Sequence, residues 1–457
     1  MNTQAPAAKT DNRPSSMFFW PVQDRPIAVR GEGIMLWDED GKAYIDACCG
    51  PQTTNIGHAH PYVVAKMHEQ MKELNFVFRN FFKNEQAERL AHRLGDYGAV
   101  KGLDMAFFSS GGSEAVETAV KLARSYAVAK GEVGRYKMIS RLPSYHGGTM
   151  GSLALTGDPE AFSTYAPMLV NHPKVDAPYC SFHPSGKSPD EVAIMYADQL
   201  ETMIINQGPS TVLAFIFEPI GGVATGALIA PDVYYNRVRE ICSRHGVQII
   251  YDEVMCGAGR SGKYLAAEHW DARPDIIAMA KGLAAGYAPL GATIARREMV
   301  EAVDANGGFP HGHTYSANPT SCAAGNAVLD VMENENLVEN AARMGTVLKD
   351  GLTELAARFP FIGEVRGKGL KLGFDVLADR VNRRPLPVEL NAYQRISQAC
   401  ADRGLLIYSR RMMGGIKGDN FLVTPPLNVT GEQVDHILSL LGDALDAVAP
   451  DLLAAME

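Results

Sequence analysis

The chain has 457 residues, of which 46 % are hydrophobic and 21 % charged, and 43 basic against 52 acidic side chains give a formal net charge of −9. This composition excludes a disordered chain and is typical of a globular protein large enough for two or three domains. No uncharged apolar run reaches the roughly 18 residues of a membrane span. The mildly acidic balance gives no reason to expect nucleic acid or an anionic membrane as a partner.

The seven cysteines form no C-x-x-C pair, which argues against a zinc ribbon or a redox motif. Scattered cysteines in a large chain are typical of buried free thiols in a reducing compartment. Residues 1–16 are polar and lack the apolar segment of a secretory signal. We therefore predict a flexible tail, 1–16, on a cytoplasmic protein.

The first predicted element is a β-hairpin. Residues 34–45 (IMLWDEDGKAYI) place Asp40-Gly41 between two alternating apolar runs, and this dipeptide favours a tight hairpin turn. We assign residues 17–75 to the N-terminal part of a smaller α+β lobe.

Residues 104–295 alternate short apolar runs with helical stretches, which is typical of a parallel sheet built from βαβ units. The runs at 105–108, 212–217, 247–251 and 275–280 are the predicted strands, and 233–246 is a predicted helix that ends at Gly246. We expect an α/β fold with a mainly parallel central sheet flanked by helices, over a large domain of residues 76–335.

Three of these apolar runs end at an ionisable residue, namely Glu218, Asp252 and Lys281. Ligands of open α/β sheets bind beyond the carboxyl ends of the strands. The sequence therefore predicts that these three side chains share one site.

Beyond about residue 330 the pattern changes to a long amphipathic helix at 337–359 and strands at 371–376 and 420–427. We assign 336–457 to a C-terminal small domain that completes the α+β lobe.

Residues 109–124 (SSGGSEAVETAVKLAR) follow a predicted strand and open a helix. Gly111 and Gly112 let a ligand approach the backbone, and Ser113 offers a hydroxyl, so this helix start suits a phosphate. An ordinary capped turn is the alternative. The motif is neither G-x-G-x-x-G nor a Walker loop, which disfavours dinucleotides and ATP.

Lys281 stands among Ala, Gly and Leu residues, where desolvation would lower its pKa and free an amine for Schiff-base chemistry. A solvated surface lysine is the alternative. Asp252 would be a buried carboxylate that needs a partner, and a protonated pyridine nitrogen, as in pyridoxal phosphate, would satisfy it. It could instead cap a loop or pair with Arg260.

Tyr145 could stack on a flat cofactor beside Gly147, or it could be a core tyrosine. The pairs His58/His60 and His311/His313 lack the helical spacing and nearby carboxylates of a metal site, so we predict no metal.

The motifs together carry a resemblance. From about Trp20 to Pro426 the chain resembles the class III pyridoxal-phosphate aminotransferases, the omega-aminotransferase family of fold type I. The likeness centres on FEPIGGVATGALIAPDVYYNRVREICSRHGVQIIYDEVMCGAGRSGKY (217–264) and on AKGLAAGYAPLGA (280–292).

This resemblance implies pyridoxal 5'-phosphate as the cofactor and a role for each matching residue. Lys281 matches the catalytic lysine that forms the Schiff base and moves the proton, and Asp252 matches the carboxylate on the pyridine nitrogen. The other implied cofactor-binding positions are Gly111, Gly112, Ser113, Tyr145, His146, Gly147, Glu218, Val254 and Thr314. Thr314 matches a threonine that reaches the phosphate of the neighbouring subunit, which implies a homodimer with shared active sites, or a tetramer.

For the substrate, family position implies an aromatic pocket of Phe19, Trp20 and Tyr287. Many relatives hold a substrate carboxylate with an arginine before the C-terminal Pro-Pro pair. We predict Arg411 for that role, with Arg410 and Lys417 as alternatives.

The expected reaction moves an amino group from an amine or omega-amino acid donor to a keto acid such as pyruvate. A racemase or epimerase of the same family is the alternative chemistry, and a non-catalytic relative of the fold is the alternative class. The identity and chirality of the donor stay open.

Overall fold

The computed structural model describes residues 25–160, 162–181, 183, 185–411 and 413–456. Within them the strands are, in chain order, β1 (Ala28–Glu32), β2 (Met35–Asp38), β3 (Ala43–Asp46), β4 (Met105–Ser109), β5 (Lys137–Leu142), β6 (Lys174–Asp176), β7 (Val212–Phe217), β8 (Gln248–Asp252), β9 (Ile276–Met279), β10 (Gly291–Ala295), β11 (Ile362–Lys368), β12 (Lys371–Asp379), β13 (Arg384–Pro385), β14 (Leu405–Leu406), β15 (Tyr408–Arg411) and β16 (Asp419–Val423).

The helices of the same residues are α1 (Cys49–Gln52), α2 (Pro61–Glu73), α3 (Glu85–Ala99), α4 (Gly112–Ala129), α5 (Met150–Leu155), α6 (Pro189–Gln207), α7 (Asp232–His245), α8 (Arg297–Ala305), α9 (Pro319–Asn334), α10 (Leu337–Arg358), α11 (Ala392–Asp402) and α12 (Gly431–Ala454). None of them is long and apolar enough to cross a membrane.

The central sheet has the strand order β4-β10-β9-β8-β7-β5-β6 among the described residues. Strands β5 to β9 run parallel, whereas β10 is antiparallel to both β4 and β9. All six residues of β7 are buried, because helices cover both faces of such a sheet. The predicted mainly parallel α/β fold is confirmed.

The predicted helix over 233–246 is confirmed as α7, which ends at His245. Gly246 follows it with φ +67°, and its N–H bonds to carbonyls of the last turn, as is usual where glycine ends a helix. The chain then enters β8 directly, which carries Asp252 to the edge of the sheet.

The predicted hairpin is also confirmed, since β2 and β3 pair antiparallel with Met35 opposite Ile45. Strand β14 extends this sheet by pairing with β3, so the two ends of the chain share one smaller lobe. A second, antiparallel sheet has the order β11-β12-β16-β15, with β13 beside β12. The domain boundaries given above stay predictions.

The seven cysteines are free and buried in the structure. Their thiols lie too deep for ready reaction, and burial raises the pKa of Cys49, for example, to about 11. They therefore behave as small core residues.

Candidate active site

A cavity of about 350 Å³ lies beyond the carboxyl ends of β7, β8 and β9. It brings together Glu218, Asp252 and Lys281, the three residues at the ends of the predicted strands. The residues that line it are Pro51, Gly112, Ser113, Tyr145, His146, Gly147, Glu218, Val223, Asp252, Val254, Met255, Lys281, Tyr408 and Arg410.

Ala280 alone separates Lys281 from the end of β9, and the φ of Lys281 is +48°. A non-glycine residue in this left-handed region is strained, which is frequent at functional sites. Its side chain opens into the cavity, and no hydrogen bond or ion pair engages its amine within the described part of the chain. Burial lowers the pKa of Lys281 to about 8, although the charges of Asp252 and Glu218 oppose this shift. The amine is thus available as a nucleophile and proton carrier near neutral pH.

Asp252 is 4 % exposed and forms the end of β8. Its Oδ1 accepts the N–H of Val254 at 3.1 Å, and its Oδ2 lies 2.8 Å from Nδ1 of His146. The carboxylate is therefore held in one orientation and keeps acceptor capacity toward the cavity. The predicted alternative, a pair with Arg260, is wrong, because the Arg260 guanidinium bonds instead to Asn55 and to backbone carbonyls.

Glu218 is 4 % exposed and follows β7. Its Oε1 accepts the N–H of Gly222 at 2.8 Å, and its Oε2 lies 3.4 Å from the N–H of Tyr145. These bonds orient the carboxylate and hold the Tyr145 segment at the cavity wall.

The start of α4 faces the same cavity. Its N-cap residue, Gly111, offers no side-chain cap to the first turn, so backbone N–H groups and the helix dipole remain open to an anion. Ser113 Oγ accepts the N–H of Gly148 at 3.0 Å, which joins this helix start to the segment after Tyr145.

Gly112 and Gly147 leave space at this wall of the cavity. A Cβ on Gly112 would lie 2.7 Å from Cγ1 of Val254, and a Cβ on Gly147, where φ is +139°, would lie 2.9 Å from Cβ of Ser113. Gly111, in contrast, has extended backbone and nothing within 4 Å of an added Cβ, and it does not line the cavity.

The two arginines of β15, Arg410 and Arg411, are placed differently from the sequence prediction that Arg411 binds the substrate. Arg410 lines the cavity, whereas Arg411 forms a two-point pair with Asp419, at 2.8 Å and 2.9 Å, and donates to Val388 O at 2.9 Å. Because neighbouring residues of a strand point to opposite faces, Tyr408 and Arg410 share the cavity side. Arg411 is therefore not placed to bind the substrate, and Lys417 is exposed outside the cavity lining.

Two other predicted residues, Tyr287 and Thr314, lie elsewhere. The Tyr287 hydroxyl donates to Gly57 O at 3.1 Å and accepts from His60 N at 2.6 Å, outside the cavity lining. Thr314 is exposed on the segment before α9, away from the cavity of its own chain. Phe19 and Trp20 lie outside the described residues.

Sequence reasoning missed Pro51, Val223, Met255 and Tyr408 as lining residues. Three are apolar residues without a distinctive motif, and Tyr408 lies in the small lobe, far along the chain. Only an alternating pattern over 408–411 could have indicated that Tyr408 and Arg410 face one side.

The histidines of the pairs His58/His60 and His311/His313 contact other side chains. His58 Nε2 lies 2.9 Å from Asp46 Oδ2, His60 Nε2 lies 3.0 Å from Glu335 Oε1, and His311 Nε2 lies 2.9 Å from Thr118 Oγ1. His58, His60 and His311 thus each contact a different residue, while the His313 ring packs edge-on against His311 with centroids 4.9 Å apart.

Comparisons with known proteins agree with this geometry. A family model, aminotransferase class-III, matches residues 21–445. The chain is 36 % identical over 430 residues to the uncharacterized aminotransferase YodT of Bacillus subtilis, which covers 93 % of this chain and 96 % of that protein. It is 31 % identical to the putrescine–pyruvate aminotransferase of Pseudomonas aeruginosa over 94 % and 92 % of the two chains.

The crystal structure of an amine transaminase from an uncultivated Pseudomonas species, in its pyridoxal-phosphate-bound internal aldimine form, superposes with a TM-score of 0.89. The two proteins are 34 % identical over 95 % of this chain and 99 % of that one. The fold and cavity are those of a fold type I, pyridoxal-phosphate-dependent enzyme, and the chain belongs to the class III aminotransferases. It is a transaminase that passes an amino group from an amine donor to a keto-acid acceptor, and nothing favours the racemase alternative.

The cavity residues fit pyridoxal phosphate. The oriented, buried Asp252 carboxylate suits a pyridine nitrogen. The uncapped start of α4, where two glycines leave room, suits a phosphate. The Lys281 amine, with its lowered pKa and no partner in the described part of the chain, suits an aldehyde.

Proposed function

We propose that Lys281 is the catalytic residue of this transaminase and that the cavity around it binds the cofactor and the substrates. The observation that carries the proposal is the Lys281 amine, which has a pKa lowered to about 8 and no partner among the described residues, in one cavity with the Asp252 carboxylate and the start of α4. Bound pyridoxal phosphate supplies a carbonyl for the amino group and a ring that withdraws electrons from the donor carbon.

The protein's own groups then divide the work. Asp252, oriented by His146, would accept the N–H of the pyridine ring and keep that nitrogen protonated. Lys281 Nζ takes the proton from the donor carbon as a general base and returns it as a general acid. Tyr145 and Val254 line the cavity and would hold the two faces of the bound ring.

The remaining cofactor contacts surround the phosphate and the ring edge. Backbone N–H groups at Gly112 and Ser113, with the Ser113 hydroxyl, would hold the phosphate. Gly147 would leave clearance beside it, and Glu218 would face the substrate and the ring oxygen.

For the substrates we assign the carboxylate of the keto acid to Arg410, because a guanidinium at the cavity wall can bind a carboxylate through two hydrogen bonds. The donor is a primary amine or an omega-amino acid, with pyruvate as the acceptor we expect. Phe19 and Trp20 keep their predicted role in an aromatic part of the pocket, whereas Tyr287, whose hydroxyl bonds to Gly57 and His60 outside the cavity lining, is not assigned to it.

The test combines turnover with covalent labelling. The purified protein, saturated with pyridoxal phosphate, is assayed with a panel of amines, diamines, beta-alanine and 4-aminobutyrate against pyruvate and 2-oxoglutarate. Borohydride reduction and peptide mass spectrometry should place the label on Lys281, and Lys281→Ala should lose both label and turnover. Lys263→Ala, at an exposed position outside the cavity, is the control. A label on another lysine would overturn the assignment.

We further propose a cytoplasmic homodimer whose active sites are completed across the interface. Tyr315, the residue after Thr314, packs on the exposed Phe76 with ring centroids 6.1 Å apart. A few residues along the chain, Phe81 packs on Phe78 with centroids 5.6 Å apart and is 77 % exposed. An exposed apolar patch of this kind suits a second copy of the chain. Light scattering should give twice the chain mass, and Phe81→Asp should shift it toward the monomer; a wild-type monomer would contradict the proposal.

The cytoplasmic location is supported by the seven buried free thiols, which are typical of proteins in a reducing compartment.

A further inference from the structure

A buried carboxylate lies behind the cavity arginine. Asp158 follows α5 and is only 1 % exposed. Its Oδ1 accepts the N–H of Met413 at 3.1 Å, which ties the segment after β15 to the large domain. Its Oδ2 makes no hydrogen bond within the described residues, and it lies 3.6 Å from Nη2 of Arg410.

Arg410 lies beside Asp158 but is too far from it for a hydrogen bond. Its Cζ lies 5.5 Å from the centroid of the Tyr145 ring and 5.9 Å from that of the Phe162 ring. Two aromatic faces therefore stabilise the cation. A closed charge-assisted hydrogen bond would measure about 2.7–2.9 Å. At 3.6 Å the Asp158 carboxylate is a nearby partner that a small rotation of Arg410 would reach.

A transaminase cavity needs such a partner. The keto acid brings a carboxylate to Arg410, but an amine donor without a carboxylate leaves the guanidinium unpaired beside an apolar substrate. An unpaired, partly buried charge is costly. Asp158 can neutralise Arg410 in that half of the reaction, whereas the keto acid must compete with Asp158 for the same guanidinium.

We infer that Asp158 is a positioning residue that sets how the cavity divides its affinity between carboxylate-bearing and carboxylate-free substrates. This inference rests on the proposed function, in which Arg410 binds the keto-acid carboxylate.

The decisive variant is Asp158→Asn, because an asparagine oxygen can still accept the N–H of Met413 while the charge is lost. The KM for pyruvate should fall, and the KM for a simple amine donor should rise, each on the order of fivefold, with little change in kcat. Asp158→Glu, which restores the charge, should return both values toward the wild type.

The matched control is Glu160→Gln, two residues away. Glu160 is exposed and lies against Gly414 of the same segment, but it forms no pair with Arg410. This variant removes the same charge and should leave both KM values within about twofold. If it acts as Asp158→Asn does, net charge and not position is responsible, and the inference is wrong.

A binding readout separates the inference from turnover. Calorimetry with propionate, a carboxylate without a keto group, should give tighter binding to Asp158→Asn than to the wild type. In an Arg410→Gln background the same change should have no effect, because the two residues act through each other. An equal effect in both backgrounds, or unchanged propionate binding, would overturn the inference. A cofactor-loaded wild type that converts no amine would instead overturn the proposed function.

Discussion

The His146 imidazole and the Asp252 carboxylate form a buried pair, with Nδ1 and Oδ2 2.8 Å apart and the histidine side chain fully enclosed. The backbone N–H of His146 donates to Thr156 Oγ1 at 2.9 Å, so the residue is fixed through both its ring and its main chain. A carboxylate oriented in this way can bind a pyridine nitrogen without reorganising. Such preorganisation of charged groups is usually the largest part of electrostatic catalysis.

Replacement of Asp252 by Asn should remove this charge while keeping the shape of the pair. We expect kcat to fall about a hundredfold or more, because the ring nitrogen would lose the anion that keeps it protonated. Steady-state kinetics at saturating cofactor measure the effect. Asp275→Asn is the control, since Asp275 is another buried carboxylate but pairs with Arg239 and Arg296 away from the cavity; it should lose stability and keep its kcat. Unchanged kcat in Asp252→Asn would contradict the assignment.

Adjacent glycines at the start of α4 give a second, sharper comparison. In Gly112→Ala the new Cβ would lie 2.7 Å from Cγ1 of Val254, so the branched side chain must move into the space of the ring. We expect the Kd for pyridoxal phosphate to rise about tenfold.

Gly111→Ala is the control for this change, because nothing lies within 4 Å of the added Cβ and its extended φ of −178° suits any residue. Fluorescence titration of both variants with the cofactor should leave Gly111→Ala within about twofold of the wild type. Equal losses would mean that the two glycines do not differ as the contacts indicate.

The edge of the sheet was predictable from the sequence, because parallel strands that end in Glu218, Asp252 and Lys281 necessarily meet on one side. The helix start at Gly112 was predictable for a similar reason, since it follows β4 directly. These inferences needed only local pattern and a general rule of sheet topology.

The far wall of the cavity was not predictable in the same way. The bounds of β15 decide whether Arg410 or Arg411 faces the substrate, and a shift of one residue reverses the answer. Pro51 and Tyr408 come from the small lobe, whose packing against the large domain depends on long-range contacts that no local pattern encodes.

The arginines of β15 should separate cleanly in kinetics. Arg410→Ala should raise the KM for pyruvate tenfold or more, at roughly 1.5–3 kcal/mol for a hydrogen bond to a charged group. Arg411→Ala should leave that KM unchanged but lower the free energy of unfolding by about 2 kcal/mol, because the buried Asp419 carboxylate loses its cationic partner and keeps only the N–H of Tyr393. Denaturant unfolding and pyruvate kinetics of both variants decide the point, and a raised KM in Arg411→Ala alone would restore the assignment made from the sequence.

Lys371 gives a prediction for stability against pH. The residue is fully buried, and its amine donates to Gln52 Oε1 at 2.7 Å. Burial lowers its pKa to about 7 from 10.5, and the nearby cations Lys281 and Arg260 act in the same direction, while Cys256 and Glu218 oppose the shift. Between these two pH values the unfolded chain binds more protons than the folded one, so this lysine makes the protein more stable as the pH rises from about 7 toward 10.

Lys371→Met should remove that dependence. Below about pH 7 the cost of burying the charge is fully present in the wild type, so the variant should gain most there, and its advantage should shrink steadily toward pH 10. The loss of the bond to Gln52 adds a penalty that does not vary with pH, so the slope and not the sign at one pH carries the prediction. Urea unfolding at pH 6, 8 and 10, with the exposed Lys349→Met as the control, measures it; a difference between Lys371→Met and the wild type that stays constant over this range would show that Lys371 keeps its ordinary charge in the folded protein.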